Sequence, residues 1–174
     1  MNKKANQVLD IVIRYAILIA VAIPNLWLFY FIFTPITIYP VNFLLKLFYQ
    51  TSLTGSLITV SSCFPIEIIS SCVAGSAYYL LLILNLSTPG IKLKKRINLL
   101  LLSFASFLAL NILRIFLLSL LFISGSIWFD VTHKLFWYLL STVFVVGIWF
   151  LEVKLFKIKK IPFYSDLKMA YKLN

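Results

Sequence analysis

Residues 73–123 read VAGSAYYLLLILNLSTPGIKLKKRINLLLLSFASFLALNILRIFLLSLLFI, two long apolar runs on either side of a loop holding Lys92, Lys94, Lys95 and Arg96. A helix crossing a bilayer needs roughly 20 predominantly apolar residues, because its backbone must satisfy its own hydrogen bonds where no water reaches. Both runs meet that need, as residues 73–90 and 97–123. Two further stretches do so, residues 11–33, interrupted by Pro24, and residues 131–151. The first is too long for a signal-peptide core and lacks a small-residue cleavage site, so it is expected to be retained. The expected fold is an all-α integral membrane protein with about four transmembrane helices.

Composition agrees with this reading. Of the 174 residues, 62% are hydrophobic, 17% aromatic and 12% charged, and the mean hydropathy is +1.01, a mix foreign to water-soluble domains. The net charge of +11 would suit a polyanion. Nucleic-acid binding, however, needs an accessible basic face interleaved with aromatic platforms, and these aromatics sit inside the apolar runs, so no nucleic-acid partner is expected. Twelve of the sixteen basic residues fall in three places: Lys3 and Lys4; Lys92, Lys94, Lys95 and Arg96; and Lys154, Lys157, Lys159, Lys160, Lys168 and Lys172. Those places are cytoplasmic by the positive-inside rule, which puts both termini inside. Arg14 follows Asp10 by one helical turn and can pair with it, and only Lys46 and Lys134 are left for the outer side.

The N-terminus and the loop at 92–96 are then separated by an even number of crossings, which residues 11–33 and 73–90 already supply. Residues 37–49, with Pro40 and Lys46, are therefore expected as a helix lying at the outer interface or a shallow re-entrant turn. In residues 57–63, Ile58 and Val60 alternate with Thr59 and Ser61, and residues 66–70 are again rich in Ile, which predicts a short external β-hairpin capping the bundle. Residues 1–174 form one membrane domain, with residues 153–174 as a basic cytoplasmic tail.

Ionisable groups inside a bilayer are expensive and mark function by default. Arg114 lies seventeen residues after Ile97, about 26 Å along a helix, and so toward its outer end. Cys72 immediately precedes the run that descends from the outer surface, and His133 opens the last run, which also starts outside. Topology thus puts a thiol, a guanidinium and an imidazole at one outer depth. Those are the parts of acyl transfer: a nucleophile that reacts as its thiolate, a fixed cation for an oxyanion, and a proton carrier. Asn111 precedes Arg114 by three residues and shares its helix face, and Glu67 is a nearby external carboxylate able to orient a base. Each also has a plain structural reading. A lone membrane cysteine is ordinarily an inert small hydrophobe, His133 an interfacial polar residue, Asn111 an interhelical donor and Glu67 an exposed charge. Cys63 leaves two other readings open: a disulfide with Cys72, or a thiol-disulfide oxidoreductase using both cysteines, although their nine-residue spacing is not C-x-x-C. A non-enzymatic membrane scaffold is the third alternative. A single histidine leaves no metal site to name, and no cofactor is expected.

The run Ser71-Cys72-Val73-Ala74-Gly75 opening one span, Asn111-Ile112-Leu113-Arg114 in the next and His133 opening the last resemble the exosortase and archaeosortase family, in particular its compact archaeosortase-like members. The resemblance covers roughly residues 57–152. It implies a membrane cysteine transpeptidase or protease in which Cys72 is the nucleophile, Arg114 the family arginine of an N-x-x-R motif and His133 the third catalytic member, with Asn111 as the motif asparagine. It also implies the partners: secreted or surface proteins with a C-terminal sorting signal of recognition motif, hydrophobic helix and basic cluster. The signal is cleaved at the outer membrane face through a thioacyl-enzyme, and the product passes to an acceptor such as a membrane lipid. One departure is Val73, where the family commonly has a Ser or Thr after the cysteine.

Overall fold

The computed structural model describes residues 3–23, 25–61, 63–136, 141–158, 160–164, 166, 168 and 171. In chain order the elements are α1 (Lys3–Ala22), α2 (Trp27–Lys46), β1 (Thr51–Thr54), β2 (Leu57–Val60), β3 (Phe64–Glu67), α3 (Ser70–Val73), α4 (Gly75–Leu86), α5 (Leu93–Ile123), α6 (Phe129–Leu135) and α7 (Ser141–Leu155). The chain is mostly helical, with one small sheet. Two helices, α2 and α5, are long and apolar enough to cross a membrane. As described, α4 with 12 residues and α7 with 15 are shorter than the runs expected at 73–90 and 131–151, and residues 137–140 of the latter lie outside the described residues.

The expected first span is two helices. Asn25 and Leu26 take φ of 49° and 59° between α1 and α2, so the helix that would have run through residues 11–33 ends before them. A proline at 24 disfavours helix in the residue before it, which makes this the natural break. The expected interfacial helix at 37–49 is instead the second half of α2, which runs unbroken past Pro35 and Pro40. Its Val41 and Leu45 are fully buried and Asn42 accepts a hydrogen bond from Thr51 Oγ1 at 2.8 Å, so this stretch packs in the core. Neighbouring elements sustain a helix that its prolines would otherwise weaken.

The expected hairpin is present and gains a strand. β1, β2 and β3 form an antiparallel meander, with Thr51 opposite Val60 and Val60 opposite Phe64. Ile58 and Val60 are buried while Leu57 is exposed, as the alternation predicts. Gly55 turns the first hairpin at φ +64°, a conformation open to glycine without cost. The second return strand starts at Phe64, and its Pro65 is tolerated because β3 is an edge strand.

Helices α4 and α5 are antiparallel. At one end the Asn111 side chain meets the backbone at Cys72 and Val73, and at the other Arg96 meets the carbonyls of Asn85, Leu86 and Thr88. α7 runs antiparallel to α5 on another side, from Ser141 beside Arg114 to Phe156 beside Lys95. Aromatic rings join α2 to α4 and α5: Phe33 stacks on Tyr78 at 3.7 Å and meets Phe104 edge-on, and Phe104 and Phe107 meet Tyr78 edge-on. α1 joins through Arg14, which pairs with Asp10 as expected but also forms a two-pronged pair with buried Asp166 at 2.8 and 2.9 Å. Residues 153–174 are therefore not simply a basic tail: α7 extends to Leu155, and Asp166 docks against the bundle. Lys159 and Lys172 lie outside the described residues.

Beside a mostly apolar core, part of the polarity is distributed inside out. Arg14, Asn85, Arg96, Asn111, Arg114 and Glu152 are buried, whereas Phe31, Ile36 and Phe43 of α2, Leu101 and Leu113 of α5, and Phe150 of α7 are exposed.

Candidate active site

Cys72 sits on α3, a single helical turn. The turn ends at Ala74, which takes the left-handed conformation (φ 58°, ψ 48°), and α4 starts afresh at Gly75. A non-glycine residue there costs on the order of 1–2 kcal/mol, so the surroundings must impose it. Two of them are visible. A Cβ on Gly75 would come within 2.8 Å of the Tyr30 ring, so α2 presses directly on the backbone at the start of α4. On the other side, the Asn111 side-chain amide donates to the carbonyl of Cys72 at 2.9 Å and that of Val73 at 3.4 Å. The break has freed the latter, because Ala77 N–H bonds to Ala74 rather than to Val73. Asn111 thus touches the backbone that carries the cysteine, and its role is to hold it.

Arg114 is 4% exposed. Its Nη1 donates to Ser141 Oγ at 3.1 Å, and that hydroxyl donates to the Phe136 carbonyl at 2.9 Å, so one chain of bonds joins α5, α7 and the end of α6. Arg114 Nε is buried without an acceptor among the described residues. A guanidinium has five donors, so most of its capacity is uncommitted.

His133 belongs to the last turn of α6. Its ring stacks on Phe129 at 5.5 Å with the planes 8° apart; Phe129 packs on Phe122, and Phe122 meets Phe64 of β3 edge-on. A line of aromatic rings therefore runs from the sheet across α5 to the imidazole.

These groups converge. Cys72, Arg114, His133 and Glu67 all line one cavity of about 260 Å³, whose walls are otherwise largely apolar: Ile66, Ile68, Ile69, Ile115, Leu118 and Phe122 among them. Glu67, at the end of β3, is exposed. Asn111 stands behind the cavity, on the backbone of Cys72. Cys63 lies in the loop between β2 and β3, exposed and not among the residues that line the cavity, and both cysteines are free thiols. Sequence reasoning missed Ser141, Phe129 and Tyr30, which position the arginine, the histidine and the cysteine turn. Ser141 and Tyr30 act through contacts distant along the chain, which nothing in their local sequence marks, whereas Phe129 stands one helical turn before His133 on α6, a spacing the sequence itself shows.

Chemically, the cavity offers a thiol, a proton-carrying imidazole and a buried cation with free donors, in apolar surroundings where charge interactions are strong. No protein-family model matches the chain, and no curated protein or solved structure matches it either.

Proposed function

We propose that this chain is a membrane-embedded cysteine transpeptidase or protease of the exosortase and archaeosortase type, which cleaves a C-terminal sorting signal of surface proteins at the outer membrane face. The observation that carries this reading is the meeting of Cys72, Arg114 and His133, brought by three separate helices, at one cavity. In the reaction Cys72 Sγ passes its proton to the His133 imidazole and attacks a backbone carbonyl carbon of the signal. Negative charge moves onto the carbonyl oxygen, where the Arg114 guanidinium holds it. Collapse breaks the C–N bond, His133 protonates the departing amine, and a thioacyl group stays on Cys72. An amine, such as that of a lipid headgroup, then attacks the thioacyl carbon, forming a new C–N bond while the C–S bond to Cys72 breaks. Its proton returns through His133 to the sulfur, and the protein leaves with a new anchor. Water in place of the amine gives hydrolysis. The isoleucine-rich walls suit an apolar residue beside the cleaved bond.

In this reading α2, α4, α5 and α7 cross the bilayer as a multi-pass cell-membrane protein, with residues 92–96 and both termini inside and the cavity outside. The inside-out polarity supports it: burying Arg96, Asn111, Arg114 and Glu152 while exposing Phe31, Phe43, Leu101 and Phe150 suits hydrocarbon and not water.

The test uses the full chain in dodecyl maltoside with Cys63→Ser, so that Cys72 is the remaining thiol, and follows iodoacetamide alkylation by mass. Cys72 is expected to react at neutral pH, with Arg114→Gln and His133→Gln each slowing it by about tenfold. In cells, Cys72→Ala is expected to leave a surface protein with a C-terminal hydrophobic helix and basic cluster uncleaved. An alkylation rate indifferent to both substitutions, or cleavage that survives Cys72→Ala, ends the proposal.

A further inference from the structure

At the end of the bundle opposite the cysteine cavity, a recess of about 380 Å³ is lined by Pro89, Gly90, Ile91 and Ile158 and by four lysines, Lys92, Lys95, Lys157 and Lys160. The lysines come from two segments far apart in the chain, the start of α5 and the stretch after α7. No acid lines the recess, and none of the four forms an ion pair among the described residues; both ion pairs there belong to Arg14. Like charges gathered in one concavity repel, and among the described residues no carboxylate lines it to offset them. Lys95 does have contacts, donating to the Phe156 carbonyl at 2.6 Å and lying over its ring, and these fix its ammonium at the rim. Gly90, at φ +73°, leaves room for Lys160: a Cβ there would overlap the ammonium, so a side chain at 90 would push that charge out of the recess. The recess also abuts the start of the 31-residue α5, whose first turn has neither an acidic residue nor a side-chain cap to satisfy its free N–H groups.

We infer that this recess is a binding site for a phosphate-bearing anion, with Lys92, Lys95, Lys157 and Lys160 as its ligands. The site is independent of the cysteine chemistry. Its natural source is an anionic phospholipid headgroup of the inner leaflet, an assignment that rests on the membrane orientation proposed above; a free phosphate would offer the same chemistry. A headgroup held there would tie the loop between α4 and α5 to the segment after α7.

The test measures binding to the full chain in dodecyl maltoside, an uncharged detergent, using dihexanoyl phosphatidylglycerol, dihexanoyl phosphatidylcholine and inorganic phosphate as separate probes. Saturable binding of phosphatidylglycerol, and not of phosphatidylcholine, is expected. Replacing all four lysines by Gln should weaken it by about tenfold or more, while replacing all four by Arg should retain it and serve as the folding control. A third variant removes the same charge elsewhere, with Lys46, Lys94, Lys134 and Lys154 changed to Gln, and should bind nearly as the parent does. Competition by inorganic phosphate identifies a site that reads the phosphate alone. Binding of the lipid without such competition identifies the lipid as the source. Equal losses in the two Gln variants, or no saturable binding of either anion, overturns the site. Neither result bears on Cys72, whose alkylation is measured separately.

Discussion

Asn111 makes its two contacts to main-chain carbonyls, and that separates its part from those of its neighbours in the site. Cys72, Arg114 and His133 present chemistry to the cavity, whereas Asn111 keeps the cysteine turn in place. Asn111→Leu leaves two carbonyls without their donor inside the bundle and is expected to cost about 1–3 kcal/mol. It should also slow Cys72 alkylation, because the turn carrying the sulfur loosens. Thermal unfolding in detergent, followed by tryptophan fluorescence, reads the first effect and mass shift the second; an unchanged midpoint would assign these bonds no stabilising role. At this scale much of the site was legible. Cys72, Arg114 and His133 reach one cavity because each stands toward the same end of the bundle, and position along a helix follows from counting residues. The details of support were only partly legible: Phe129 precedes His133 by one turn of the same helix, but Ser141 reaches Arg114 only through the rotation of α5 and α7 about their own axes.

The boundary between α3 and α4 is decided by an approach between elements. Tyr30 of α2 lies where a Cβ of Gly75 would be, so the close contact requires glycine at that place. Gly75→Ala is expected to destabilise by about 1–3 kcal/mol, as overpacking in a core does. The double variant Gly75→Ala with Tyr30→Leu should recover part of that loss, which a cycle of thermal midpoints measures; no recovery would mean that the penalty at 75 has another origin. The elements themselves were unevenly legible. Alternation at Ile58 and Val60 announced the sheet, but β1 has the sequence TSLT and no apolar pattern, and it becomes a strand only because β2 offers it an edge. Pro40 suggested a separate helix or turn where α2 is continuous, and α2 also runs past Pro35. Local propensity favoured breaking the helix, and packing of Phe33, Val41 and Leu45 outweighed it.

Across the whole molecule, the end opposite the cysteine cavity is closed by buried charge. Arg14 holds Asp166 with two bonds and donates to the Leu86 carbonyl, and Arg96 takes the carbonyls of Asn85, Leu86 and Thr88, so two arginines satisfy the end of α4. The Arg14 and Asp166 side chains are 4% and 5% exposed, so their attraction is little screened by salt. Asp166→Asn leaves a buried cation with Asp10 as its one remaining carboxylate, and is expected to cost about 3–5 kcal/mol. Arg14→Met combined with Asp166→Leu should restore most of the stability, because an apolar pair needs no solvation. Thermal midpoints at low and high salt check both expectations, and a small loss for Asp166→Asn would place the pair in the screened surface class. What the sequence determined alone was whatever depends on order and spacing along the chain: the apolar runs, the clustering of twelve basic residues and the positions of Cys72, Arg114 and His133 along those runs. Tertiary structure decided which side chains turn toward one another. It joined α3, α5 and α6 around one cavity, drew Asp166 across 152 positions to Arg14 and gathered four lysines from two distant segments. The physical reason is that hydropathy and charge position act residue by residue, whereas rotation, offset and close approach are settled only when all the helices pack at once.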